Sequence, residues 1–129
     1  MRDGYGVVRI AAMSDVHCGK ESAGALQAAF AQAAQSADVL VLAGDLTDYG
    51  TPDEARLLAK ELAVVNRMPV VAVLGNHDYE SGAEQDICHI LSEAGVRVLD
   101  GDSVEMNGVG FAGVKGFAGG FGRGALGPW

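Results

Sequence analysis

At 129 residues, with 49% hydrophobic and 20% charged, the chain has the size and composition of one globular domain, enough to bury roughly two thirds of the surface its unfolded form exposes. These proportions exclude a disordered tail. A net charge of −8 with only nine Lys and Arg argues against a broad grip on nucleic acid, because phosphate backbones are held by clustered cations, and it suits a handler of cations or small substrates.

The opening stretch MRDGYGVVRIAAMSD holds an apolar run over 7–13 that an arginine interrupts and an aspartate ends, so it reads as neither a signal peptide nor a membrane span. β-branched and small apolar residues predict a first strand over 7–14. Helical spacing follows, with Leu26, Phe30, Ala33 and Ala34 on one face of a segment over about 23–36. DVLVLAG, 38–44, is a continuous apolar run of the kind found in strands covered on both faces. In TPDEARLLAKELAVV the residues for a helix start stand in order: Thr51 to cap, Pro52 at the first position, and Glu54 to complete a capping box. The core stripe of this second helix is Ala55, Leu58, Ala59, Leu62 and Val65. PVVAVLG, 69–75, predicts a third strand, and AEQDICHILSEAG a third helix with Ile87, Ile90, Leu91 and Ala94 inward and Gly95 as its C-terminal cap. VRVL, SVEM and VGFAGV then read as short strands, and Asn107-Gly108 is a strong hairpin signal between the last two. The glycine-rich segment 115–129 has no periodic apolar face. The whole chain, 1–129, reads as a single domain.

An alternating βα order implies a parallel sheet whose strands all end at one edge, where ligand sites of open α/β sheets lie. The first three strands end in SDVHCG, AGDLTD and LGNHDYE. Asp15, Asp45 and Asn76 stand 30 and 31 positions apart, about one βα unit each, so the three are brought side by side. Asp15 and His17 are two apart and share a side. Asp15, His17, Asp45, Asn76 and His77 therefore converge on one small volume. Carboxylates gathered this closely repel unless compensated. A divalent cation compensates them, and mixed imidazole and carboxylate donors favour Mn, Fe, Ni or Zn over Mg.

DVH at 15–17, GDLTD at 44–48 and GNHD at 75–78 resemble, in order and spacing, the first three motifs of the calcineurin-like metallophosphoesterase superfamily. The resemblance implies a fold in which this chain supplies half of an αββα sandwich, a mainly parallel sheet in βαβαβα order followed by a β-hairpin. It implies a phosphoesterase acting on a phosphomonoester or phosphodiester through two divalent ions and metal-activated water. Asp15 and His17 would hold the first ion, Asp45 would bridge, Asn76 would hold the second, and His77 would be the catalytic acid. The family's downstream histidine motifs are absent, so the domain is expected to be incomplete at its C-terminus, and this chain alone to bind metal weakly and turn over little. The absence also admits a non-catalytic, partner-binding scaffold of the same fold, against which an intact His77 argues. A nuclease of the superfamily is disfavoured by the net charge. The expected partner is a small phosphorylated substrate, with no membrane. An exposed edge near 103–114 would be free to pair with the missing half or a second copy.

The remaining polar residues carry structural readings. Asp48 shapes the turn before Thr51, while Asp78, Glu80 and His89 are solvated. Cys18 is a small buried thiol and Cys88 packs along its helix. With no CxxC pairing they read as reduced, placing the chain in the cytoplasm. GRGALG, 122–127, matches a nucleotide-loop pattern but opens no helix, so it reads as a loop. Lys115 and Arg123 are solvated there, or contact a substrate phosphate.

Overall fold

The computed structural model describes residues 6–22, 24–65, 67–115 and 123. The glycine-rich tail, apart from Lys115 and Arg123, and GRGALG, apart from Arg123, therefore lie outside the described residues. Strands β1 (Ile10–Met13), β2 (Val39–Ala43), β3 (Val70–Val73) and β4 (Val96–Val98) form one parallel sheet in the order β1-β2-β3-β4. Helices α1 (Ala25–Ser36), α2 (Pro52–Leu62) and α3 (Glu84–Glu93) fill the crossovers. A hairpin of β5 (Asp102–Met106) and β6 (Val109–Gly113) makes a separate antiparallel pair. Its turn is Asn107-Gly108, both at positive φ (53° and 81°), the backbone that a two-residue hairpin turn requires.

Strand order follows chain order, and right-handed crossovers that never reverse place all three helices on the same face. The packing shows this directly: Phe30 of α1, Leu58 of α2 and Ile87 of α3 are fully buried in one cluster with Leu40, Leu42, Val70 and Ala72 of the sheet. Alternate residues point the other way, where Val39, Val71 and Leu99 meet Val104, Met106 and Phe111 of the hairpin. Ile10 pairs with Val39 in register and shares its face, yet is 47% exposed.

The capping box on α2 is complete, with the Thr51 hydroxyl accepting from Glu54 N and the Glu54 carboxylate accepting from Thr51 N. Of the stripe behind it, Ala55, Leu58, Leu62 and Val65 are buried, and Ala59 is half-buried. In α3, Ile87 and Leu91 are buried, Ile90 is half-buried, and Ala94 is exposed rather than inward. The reason is the helix end: α3 stops at Glu93, and Ala94 leads into a turn at Gly95 (φ 90°) that swings the chain into β4. Among the described residues no helix is long and apolar enough to cross a membrane.

Candidate metal centre

The ends of β1 and β2 run on beside one another past the sheet. Asp15 N donates to Gly44 O (3.1 Å), His17 N to Asp45 O (3.0 Å) and Cys18 N to Leu46 O (3.0 Å), and Asp48 N donates back to Cys18 O (3.1 Å). This ladder sets Asp15 and His17 alongside Asp45. It does so with left-handed backbone at all three: φ is 55° at Asp15, 45° at His17 and 50° at Asp45. Non-glycine residues held there cost about 1 kcal/mol or more each, and such strain gathers at functional sites. Among the described residues Asn107 of the hairpin turn is the only other non-glycine residue at positive φ.

The third strand end locks onto the second. His77 N donates to Asp45 Oδ1 (3.0 Å), and at Gly75 an added Cβ would land on the Asp45 amide and carboxylate, so only glycine admits this approach. Side chains of His17, Asp45 and His77 each offer a donor atom within 4.8 Å of the others, and the two imidazoles meet edge to face at 4.5 Å. Three carboxylates surround His17: Asp45 Oδ2 at 3.7 Å and Asp15 Oδ1 at 3.9 Å from Nε2, and Asp48 Oδ1 at 3.6 Å from Nδ1. Separations of 3.7 and 3.9 Å are too long for hydrogen bonds. They suit two ligands of one ion whose bonds are each ~2.0–2.2 Å. The donor set thus fits a divalent cation of the transition series.

Asp15 stands outside the three-donor group, with its side chain 64% exposed. Asn76 is exposed at the first position of the short turn Asn76–Tyr79, directly before His77.

His77 is held by Asp48, though through the backbone: Nδ1 lies 2.7 Å from Asp48 O. A carbonyl can only accept, so Nδ1 carries the hydrogen and Nε2 is left as the nitrogen available for chemistry. That hydrogen bond, reinforced by the Asp45, Glu80 and Asp48 carboxylates, raises the imidazole's pKa above its ordinary value against a smaller opposing effect of burial.

Asp78 corrects the sequence reading most. It is fully buried, not solvated. Its carboxylate accepts from Leu46 N (3.0 Å), Thr47 N (2.8 Å), Thr47 Oγ1 (2.6 Å) and Gly75 N (2.8 Å). Thr47, fully buried and not singled out from sequence, accepts in turn from Gly50 N at 3.0 Å. The one available signal was positional, a carboxylate three residues after the glycine that ends an apolar strand, able to reach back to that glycine's amide. Glu80 is exposed, 3.9 Å from His77 Nδ1. His89 is exposed on α3 beside Glu93, as read. Cys18 is fully buried, and burial pushes its thiol pKa up despite a hydrogen bond with Ser22. Cys88 is half-buried against the helical core, and both cysteines are free.

A family model described as calcineurin-like phosphoesterase matches residues 8–121. A curated protein of Aquifex aeolicus (strain VF5), named "Uncharacterized metallophosphoesterase", is 44% identical over 71 residues, covering 54% of this chain and 26% of the relative. The matched stretch therefore covers about a quarter of that relative's length.

Proposed function

The chain belongs to the calcineurin-like phosphoesterase family, and from that membership we propose that it hydrolyses a phosphomonoester or phosphodiester at a two-metal centre. Asp15 and His17 would hold one ion, Asp45 would be shared between the two, Asn76 would hold the second, and His77 would be the acid. Divalent ions there would supply Lewis acidity toward the phosphoryl oxygens and acidify a water for in-line attack. The protein's own groups arrange the rest. Asp45 fixes the His77 backbone through its Oδ1, and the Asp48 carbonyl fixes the ring tautomer. Nε2, protonated in the imidazolium form that the raised pKa favours, gives its proton to the leaving oxygen.

The observation that carries this reading is the meeting of His17 and Asp45 from two strand ends, with the His77 imidazole of the third beside them. Its setting is a cytoplasmic one, with both thiols reduced. The test is turnover of an aryl phosphate by the full-length protein with added manganese. Turnover should fall on the order of a hundredfold or more in Asp45→Ala and His77→Ala. Unchanged rates overturn the reading. The 129-residue chain by itself is expected to be weakly active.

A further inference from the structure

We infer, resting on the phosphoesterase reading, that the groove beside the metal centre along α2 is a leaving-group site for phosphoesters whose leaving group bears a second negative charge. The groove's lining includes His17 and Asp48 of the metal centre, and its volume is about 1270 Å³. That is more than a lone phosphoryl group needs, since sites of ~300–1,000 Å³ hold whole small ligands.

One wall is a stripe of α2: Asp53, Arg56, Leu57 and Lys60, spaced so that all four face one way. The turn carrying Lys20 forms the other wall, and Tyr49, 59% exposed, also lines the groove. Three of the chain's nine basic residues line this one groove, in a protein whose net charge of −8 otherwise repels anions.

Most of the groove's acids are already engaged. Asp53 pairs with Arg56 at 2.7 Å, Glu54 serves the α2 cap and Tyr49 N, and Asp48 faces His17. Lys20 and Lys60 are exposed and, among the described residues, have no ion-pair partner. The uncommitted charge is thus two lysines against Glu21. Leu57 and Tyr49 add apolar surface to the same lining. A ligand that matches has a phosphoryl group at one end, an uncharged linker, and an anion at the other.

The experiment compares hexane-1,6-diol bisphosphate with hexyl phosphate, by phosphate release from the manganese-loaded full-length protein. Alongside it, calorimetry follows binding of a non-hydrolysable alkane bisphosphonate of matching length. The bisphosphate should be preferred about tenfold, and Lys20→Ala and Lys60→Ala should each cut that preference about threefold, as expected for solvent-exposed charge pairs. The bisphosphonate should bind more weakly to the double variant. If neither ester is hydrolysed, the phosphoesterase reading falls, while lysine-dependent binding of the bisphosphonate still upholds the groove. Equal rates on the two esters, a preference that survives in the double variant, or binding indifferent to both lysines overturns the assignment.

Discussion

Asp78 and Thr47 are joined twice, since one carboxylate oxygen accepts from both the Thr47 hydroxyl (2.6 Å) and its amide (2.8 Å). The other oxygen takes the amides of Leu46 and Gly75, so one buried side chain ties the exit of β2 to the exit of β3. Its removal strands four donors away from water, each worth about 1–3 kcal/mol when left unpaired. Asp78→Ala should therefore cost on the order of 3–5 kcal/mol. Asp78→Asn should cost nearly as much, because its amide nitrogen would face N–H groups instead of accepting from them. Urea unfolding measures both, and a loss under about 1 kcal/mol in either would show that the clamp is not what holds the two strand ends.

Gly75→Ala tests the approach of the same two strand ends at a different atom. The new Cβ would overlap the Asp45 amide and Oδ1, so the loop must move, and Asp45 with it. Manganese affinity, followed by the EPR signal of the free ion, should fall about tenfold or more, as changes to groups supporting metal ligands do. An unaltered affinity would mean that Asp45 does not hold the ion.

Much of this architecture was legible because its causes are local. DVLVLAG and PVVAVLG read as buried strands since both faces of β2 and β3 are covered, and Thr51, Pro52 and Glu54 marked the start of α2 through neighbours within three positions. The grouping of His17, Asp45 and His77 was legible for a different reason: a parallel sheet turns a spacing of one βα unit into adjacency. Asp78 was not legible, because its partners Leu46 and Thr47 lie 32 and 31 residues away. In GNHDYE the only local hint is the reach of Asp78 back to the Gly75 amide, and that contact alone does not mark a carboxylate bound for the interior. Ala94 was misread at the opposite scale, as helical periodicity cannot tell where the last turn stops.

In metal-free protein the His77 ring should titrate above its ordinary 6.5, with the Asp48 carbonyl as the largest cause and the Glu80 carboxylate among the lesser ones. Since the folded pKa lies above the unfolded one, the stability this group contributes is fully present below about pH 6.5 and fades as pH rises through the folded value. Glu80→Gln removes one of the charges favouring the cation, so the titration should move down. Ring-proton NMR in the presence of a chelator reads it, and a midpoint unmoved by Glu80→Gln would exclude that carboxylate as a cause.

Asp45→Asn separates stability from function by the sign of its effect. Asp45 sits at φ 50°, a region that Asn occupies more readily than most residues, and its charge lies 3.7 Å from the same His17 Nε2 that Asp15 approaches at 3.9 Å. The amide oxygen of Asn can still accept from His77 N, so the contact between strand ends survives while a crowded charge goes. Without metal the variant should equal or exceed the parent in stability by about 0–1 kcal/mol, the pattern expected where a site holds strain and repulsion for the sake of a ligand. With manganese the order should reverse: ion at 100 times its Kd stabilises the parent by about 2.7 kcal/mol, and the variant, lacking the carboxylate, should gain little. Thermal melts with and without the ion distinguish the cases, and a variant that gains as much from manganese as the parent does would remove Asp45 from the metal centre.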